Sequence, residues 1–152
     1  MTAQPTLPID SVGHVDSEEG TGVTFTGSIR HAFSNYATFN GRASRSEFWK
    51  FALFTVIVVV LLYLPLIATG GITGEPTSAL TILVSASLIA VGIFILATLL
   101  PYLSVLVRRL HDTGRSGWWY WIALVPFVGG VILLILLVLP GTSADNRFGP
   151  AT

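Results

Sequence analysis

Polar and apolar residues mix freely over the first 46 positions, and after that they separate into long blocks. Phe48 to Ala68 carries no charge apart from Lys50, Leu80 to Val107 carries none, and neither does Trp118 to Leu139. A helix crossing the ~30 Å hydrocarbon core needs about 20 apolar residues, so these blocks predict spans at about 47–69, 80–107 and 118–139. Between the first two, Thr69 to Pro76 holds Gly70, Gly71 and Gly74 and reads as a turn. The second block would make a helix of about 42 Å, longer than the core is thick. Either it tilts, or the part beyond Pro101 emerges along the interface. The third block has Pro126, Gly129 and Gly130 at its middle. Those residues leave open a re-entrant hairpin of two half-helices, a break tolerated in a membrane only where protein covers it.

Ahead of the spans, Phe25, Ile29, Phe33 and Tyr36 recur on one helical face, predicting an amphipathic helix over 24–37. It either lies in the interface or packs on the protein itself. Residues 1–23 are acidic, contain Pro5 and Pro8, show no apolar period and read as a disordered tail. Ser44 and Glu47 have the spacing of a capping box, which starts the first span at the membrane surface. Along the second span Ala86, Ala90 and Ala97, with Ser85 and Gly92 nearby, form a small-residue side expected to meet another span or a second subunit. The expected fold is all-α: an integral membrane protein with three transmembrane helices, an interfacial amphipathic helix and one membrane domain over 24–150.

Composition agrees with the pattern. Hydrophobic residues make up 52% of the 152 positions, charged residues only 11%, and mean hydropathy is +0.74. A soluble domain is about 25% charged, and three such apolar runs leave too little polar sequence to cover them in water. The composition excludes a soluble enzyme, and without a basic excess it excludes a typical nucleic-acid binder. The first apolar run begins far from Met1 with no basic region before it, so no cleaved signal peptide is expected. With no cysteine there is no disulfide, thiolate metal site or thiol nucleophile. Basic residues gather before the first span and between the second and third, which predicts that the N-terminus and the Arg108 loop are cytoplasmic.

Chemistry is confined to polar clusters at the helix ends. The first holds Gly41, Arg42, Ser44, Arg45, Glu47 and Trp49; the second holds Arg108, Arg109, His111, Asp112, Arg115, Trp118 and Trp119. Asn146 and Arg147 close the chain's polar tail. On a continuing helix Arg108, His111, Asp112 and Arg115 share a face, so Asp112 can pair with Arg108 or Arg115 or hold His111. Glu47 is expected at the same depth, paired with Arg108 or Arg109. Trp118, Trp119, Tyr120 and Trp121 read as an interfacial aromatic belt. Three roles remain open for the clusters: helix anchors that set topology, a grip on anionic lipid by Arg108, Arg109 and Arg115, and a His111–Asp112 acid–base site. His14, His31 and His111 lack metal-ligand spacing, and no glycine loop has phosphate-cradle spacing, so no metal or cofactor is expected. No charge sits deep in a span, which disfavours a self-contained pump. Both clusters and the tail from Pro140 to Pro150 resemble the domain-of-unknown-function 805 family of small (YhaH-like) bacterial inner-membrane proteins. Ala144 stands where the resemblance leads one to expect glycine. The resemblance implies a helical membrane protein and brings no catalytic residues. The expected partners are membrane lipids, further copies of the chain or other membrane proteins.

Overall fold

The computed structural model describes residues 24–68 and 78–152. The acidic tail over 1–23 and the turn from Thr69 to Pro76 therefore lie outside the described residues. Within them the chain runs through α1 (Phe25–Ser34), α2 (Arg45–Ala68), α3 (Ser78–Asp112), a 3-10 helix η1 (Gly117–Leu124) and α4 (Gly129–Val138). Besides helices there is one isolated antiparallel bridge, between Asn146 and Gly149.

Local chemistry sets these boundaries. The Thr24 hydroxyl accepts from the Gly27 amide at 3.0 Å and starts α1. Ser44 caps α2 through the Glu47 amide at 3.2 Å, while the Glu47 carboxylate is engaged with His31 and Arg108. α2 and α3 are both long and apolar enough to cross a membrane. α3 runs unbroken through Pro101 for 35 residues, about 52 Å, past the expected end at Val107 to Asp112.

α2 packs chiefly on α3. Every seventh residue of α3, at Val84, Val91, Thr98 and Val105, is buried, and the intervening positions Ser87, Phe94, Pro101 and Arg108 are buried or half-buried. A seven-residue seam of this kind keeps two helices in contact along their length. Burial along α3 is very uneven. Of residues 79–97 only Val84 and Val91 are buried, whereas ten of the fifteen residues at 98–112 are. α2 shows the same bias, with Glu47, Phe48 and Phe51 buried at its start. Both helices thus have one crowded, polar end and one bare, apolar end.

α1 packs on α2 and α3 at the polar end. Its buried residues are the small Ser28 and Ala32. Of the expected stripe, Phe25, Phe33 and Tyr36 are each about 40% exposed and Ile29 is half-buried. Phe33 still reaches Phe51 edge-on at 5.7 Å, and the Tyr36 hydroxyl donates to the Ala97 carbonyl at 3.0 Å. The small-residue side of α3 stays largely uncovered apart from the Tyr36 contact at Ala97: Ser85, Ala86, Gly92 and Ala97 are exposed and Ala90 is half-buried.

The third apolar block departs from the single helix expected over 118–139. It folds as η1 and α4, joined by a turn at Val125–Val128 in which Phe127 takes φ +67°. The two arms pack on each other, and Gly129 allows it, because a Cβ there would run into the Ile122 carbonyl. The arms also meet α3, and Leu133, Leu136 and Leu137 join Val105, Leu106 and Leu110 in one core. Trp118, Trp119 and Trp121 stay exposed, as a belt requires, whereas Tyr120 packs against that core. Both ends of the hairpin therefore lie beside the final turns of α3.

Candidate functional site

Four carbonyls at the end of a helix lack intrahelical partners, and how α3 satisfies them organises the polar end. Gly114, at φ +75°, ends the helix in a Schellman turn: its amide donates to the His111 carbonyl at 2.9 Å and the Arg115 amide to the Leu110 carbonyl at 3.0 Å. The Arg108 carbonyl accepts from the Ala43 amide at 3.1 Å, and that of Asp112 from the Thr142 amide at 2.9 Å. Asn146 donates its side-chain amide to the His111 carbonyl at 3.0 Å. The loop before α2 and the C-terminal tail are thereby tied to the same turn.

At the centre of this junction are three buried charges. Asp112 Oδ1 accepts from Arg42 Nε at 2.8 Å and lies 2.7 Å from Arg42 Nη2. Asp112 Oδ2 accepts from Arg109 Nη1. The side chains of Arg42 and Arg109 are 1% and 0% exposed. Two buried cations against one anion are tolerable only if the remaining donors find acceptors. They do. Arg42 Nη1 donates to the Ala144 carbonyl at 2.9 Å, and Arg42 Nη2 donates to that of Thr142. Arg109 Nε donates to the Leu137 carbonyl at 3.1 Å, and Arg109 Nη2 to that of Leu139, covering carbonyls at the end of α4. Gly141 must be glycine, because a Cβ there would overlap the Asp112 carboxylate.

A second ion pair lies between α1, α2 and α3. Arg108 Nη2 is 3.0 Å from Glu47 Oε1, as expected, and both side chains are buried. The N–H directions miss the oxygen, however, and Arg108 Nε and Nη2 have no hydrogen-bond partner. The contact is therefore coulombic rather than a forked hydrogen bond. Glu47 Oε1 also meets His31 Nδ1 at 2.9 Å, a link that sequence spacing did not suggest.

The structure corrects several expected pairings. Asp112 pairs with Arg42 and Arg109, rather than with Arg108, Arg115 or His111, because the loop and tail bring in Arg42 across 70 residues of sequence. Of the two partners expected for Glu47, the structure uses Arg108. The acid–base pair is not assembled: the His111 ring stacks on Phe148 with centroids 3.9 Å apart, and its Nδ1 meets the Gly41 carbonyl at 3.2 Å. The three-arginine grip is not assembled either, since Arg108 and Arg109 are buried and only Arg115 is partly exposed. Of the other motif residues, Ser44 caps α2, Arg45 and Trp49 are exposed, and Arg147 lies over the Phe148 ring at 4.6 Å. Ala144 sits outside the positive-φ positions, so alanine costs nothing there.

An open cavity of about 410 Å³ beside the junction is lined by Ser44, Arg45, Ser46, Thr142 and Ser143 together with the already paired Arg109 and Asp112. Both histidine side chains among the described residues are committed, His31 to Glu47 and His111 to Phe148 and Gly41, so neither is placed as a base for these hydroxyls. Among the described residues no three His, Asp or Glu side chains converge as a metal site would require. Sequence reasoning passed over Phe148 and the donors of Arg42. The separate polar tail was a signal of both, because a tail ending beside orphan carbonyls needs forked donors.

Comparison with known proteins agrees with the resemblance seen in the motifs. Residues 36–150 match the family described as protein of unknown function (DUF805). The inner membrane protein YhaI of Escherichia coli K12 is 39% identical over 115 residues, 76% of this chain and 86% of the relative. The inner membrane protein YhaH of the same strain is 37% identical over 116 residues, 76% and 88% of the two chains. No solved structure matches.

Proposed function

Because the chain belongs to the DUF805 family, whose Escherichia coli members YhaI and YhaH are inner membrane proteins, we propose that it is a structural or accessory protein of the bacterial inner membrane acting through other membrane components. One observation carries this reading: Arg42, Arg109 and Asp112 are occupied by one another and by the chain's own carbonyls. Groups whose every side-chain nitrogen or oxygen is engaged in this way hold helices together. The surface remaining for partners is the exposed small-residue side of α3, where close helix approach is cheapest.

The topology that fits is two crossings, by α2 and α3, with η1 and α4 as a re-entrant hairpin. Support comes from α4, whose ten residues reach about 15 Å, half the hydrocarbon thickness. Further support is that all eight Lys and Arg residues flank the same end, which the positive-inside rule assigns to the cytoplasm.

Two measurements test the proposal. Ala144→Cys, the sole thiol in the chain, should react with an impermeant maleimide from the cytoplasmic side, and Gly74→Cys from the opposite side. Labelling of both from one side overturns the topology. A photocrosslinking residue at Ala86 or Ala97 should give a discrete adduct with a second copy or another membrane protein. Lipid adducts alone, at normal protein level, overturn the accessory role.

A further inference from the structure

We infer that the protein is a tapered inclusion that favours bilayers bulging toward its polar end, so that membrane curvature is something it recognises. The inference rests on the two-crossing topology proposed above. Five elements share the polar half of the molecule: α1, the first turns of α2, the last turns of α3, η1 and α4. The far half contains α2 and α3, and there α3 buries only Val84 and Val91. A helix is about 10 Å across, so the added elements more than double the cross-section in one leaflet.

The hairpin tip shows that the extra volume sits among acyl chains rather than in water. Leu124, Val125, Phe127 and Val128 are all exposed, and Phe127 is 100% exposed. A turn residue at φ +67° in water is usually glycine or asparagine. A phenylalanine held in that conformation with nothing packed on it is suited to a hydrocarbon surrounding. On α1 Phe25 is likewise exposed while the small Ser28 and Ala32 face the protein. Material inserted to half depth spreads one leaflet without spreading the other, and that mismatch is relieved where the spread leaflet is convex.

The test uses the full chain carrying Ala144→Cys, reconstituted into phosphatidylethanolamine–phosphatidylglycerol vesicles of about 30 nm and about 200 nm diameter, with maleimide labelling reporting orientation. The ratio of tail-outward to tail-inward molecules should be at least about twofold higher in the small vesicles. Adding Phe127→Asp, which draws the tip toward water, should remove the size dependence, and Phe127→Leu should keep it. An unchanged ratio, or a size dependence that survives Phe127→Asp, overturns the inference. Those results would leave the topology intact, which the Ala144 and Gly74 labelling decides separately.

Discussion

Lysine and arginine carry the same charge, so exchanging them at two neighbouring positions separates topology from hydrogen bonding. Arg109 sends three different nitrogens to three acceptors: the Leu137 carbonyl, the Leu139 carbonyl and Asp112. A lysine ammonium on a single stem can hold Asp112 but cannot also reach two carbonyls on another helix. Arg109→Lys therefore orphans both, at about 1–3 kcal/mol for a buried acceptor, and since Leu139 is partly accessible the expected loss is about 2–4 kcal/mol. Arg108 is the contrast. It faces Glu47 at 3.0 Å without a directed hydrogen bond, and a point charge serves as well, so Arg108→Lys should stay within about 1 kcal/mol of the parent. The assay is unfolding of micellar protein by dodecyl sulfate, followed by tryptophan fluorescence from Trp49 on α2 and Trp118, Trp119 and Trp121 on η1. Cysteine labelling at Ala144 should show unchanged topology in both variants. Equal, small losses in the two would refute the reasoning, because the arginines would then act only as charges.

Asp112→Asn leaves the buried Arg42 and Arg109 facing each other without a counter-charge and should cost about 3–5 kcal/mol in the same titration. Combined with Arg109→Met, it should cost clearly less than the sum of the two single changes. Gly141→Ala pushes a methyl into the Asp112 carboxylate and should lose about 1–3 kcal/mol, whereas Ala144→Gly should be near neutral. Ser104 Oγ lies 2.6 Å from the Thr38 carbonyl and 3.0 Å from that of Asn35, so Ser104→Ala should cost about 1 kcal/mol and loosen α1, read as faster proteolysis near residue 38.

The long helices were legible because lipid demands contiguous apolar sequence, and α2 and α3 follow the apolar blocks to within a few residues. On α1 the period was visible but its inward face was not. Next to lipid, small residues allow close helix approach, which is how Ser28 and Ala32 come to be buried while Phe33 reaches α2 only with its ring edge and Phe25 stays exposed. Asp112 was matched by helical spacing to Arg108 and Arg115. Spacing reports only neighbours on one helix, and the partner that prevails here, Arg42, arrives from a loop 70 residues away. The break at Pro126 and Gly129 was visible in sequence. That it became a hairpin depended on where the tail found acceptors and donors, which no local pattern records.

The hairpin and the buried charges explain each other. A block that turns back at Val125–Val128 brings α4's final carbonyls to the polar end, against α3. Such groups cannot be left unpaired in a poorly hydrated region, and a residue with several diverging donors is the economical answer. Arg109 fills that role, but a cation with 0% exposure needs a counter-charge, and Asp112 supplies it from one turn away on the same helix. Arg42 then pairs with the second carboxylate oxygen, which also accepts from the Thr152 hydroxyl at 2.9 Å, and binds the tail at Thr142 and Ala144. Each element is costly alone and stable with the others, so the hairpin, the Arg–Asp–Arg junction and the tail should be lost or kept together.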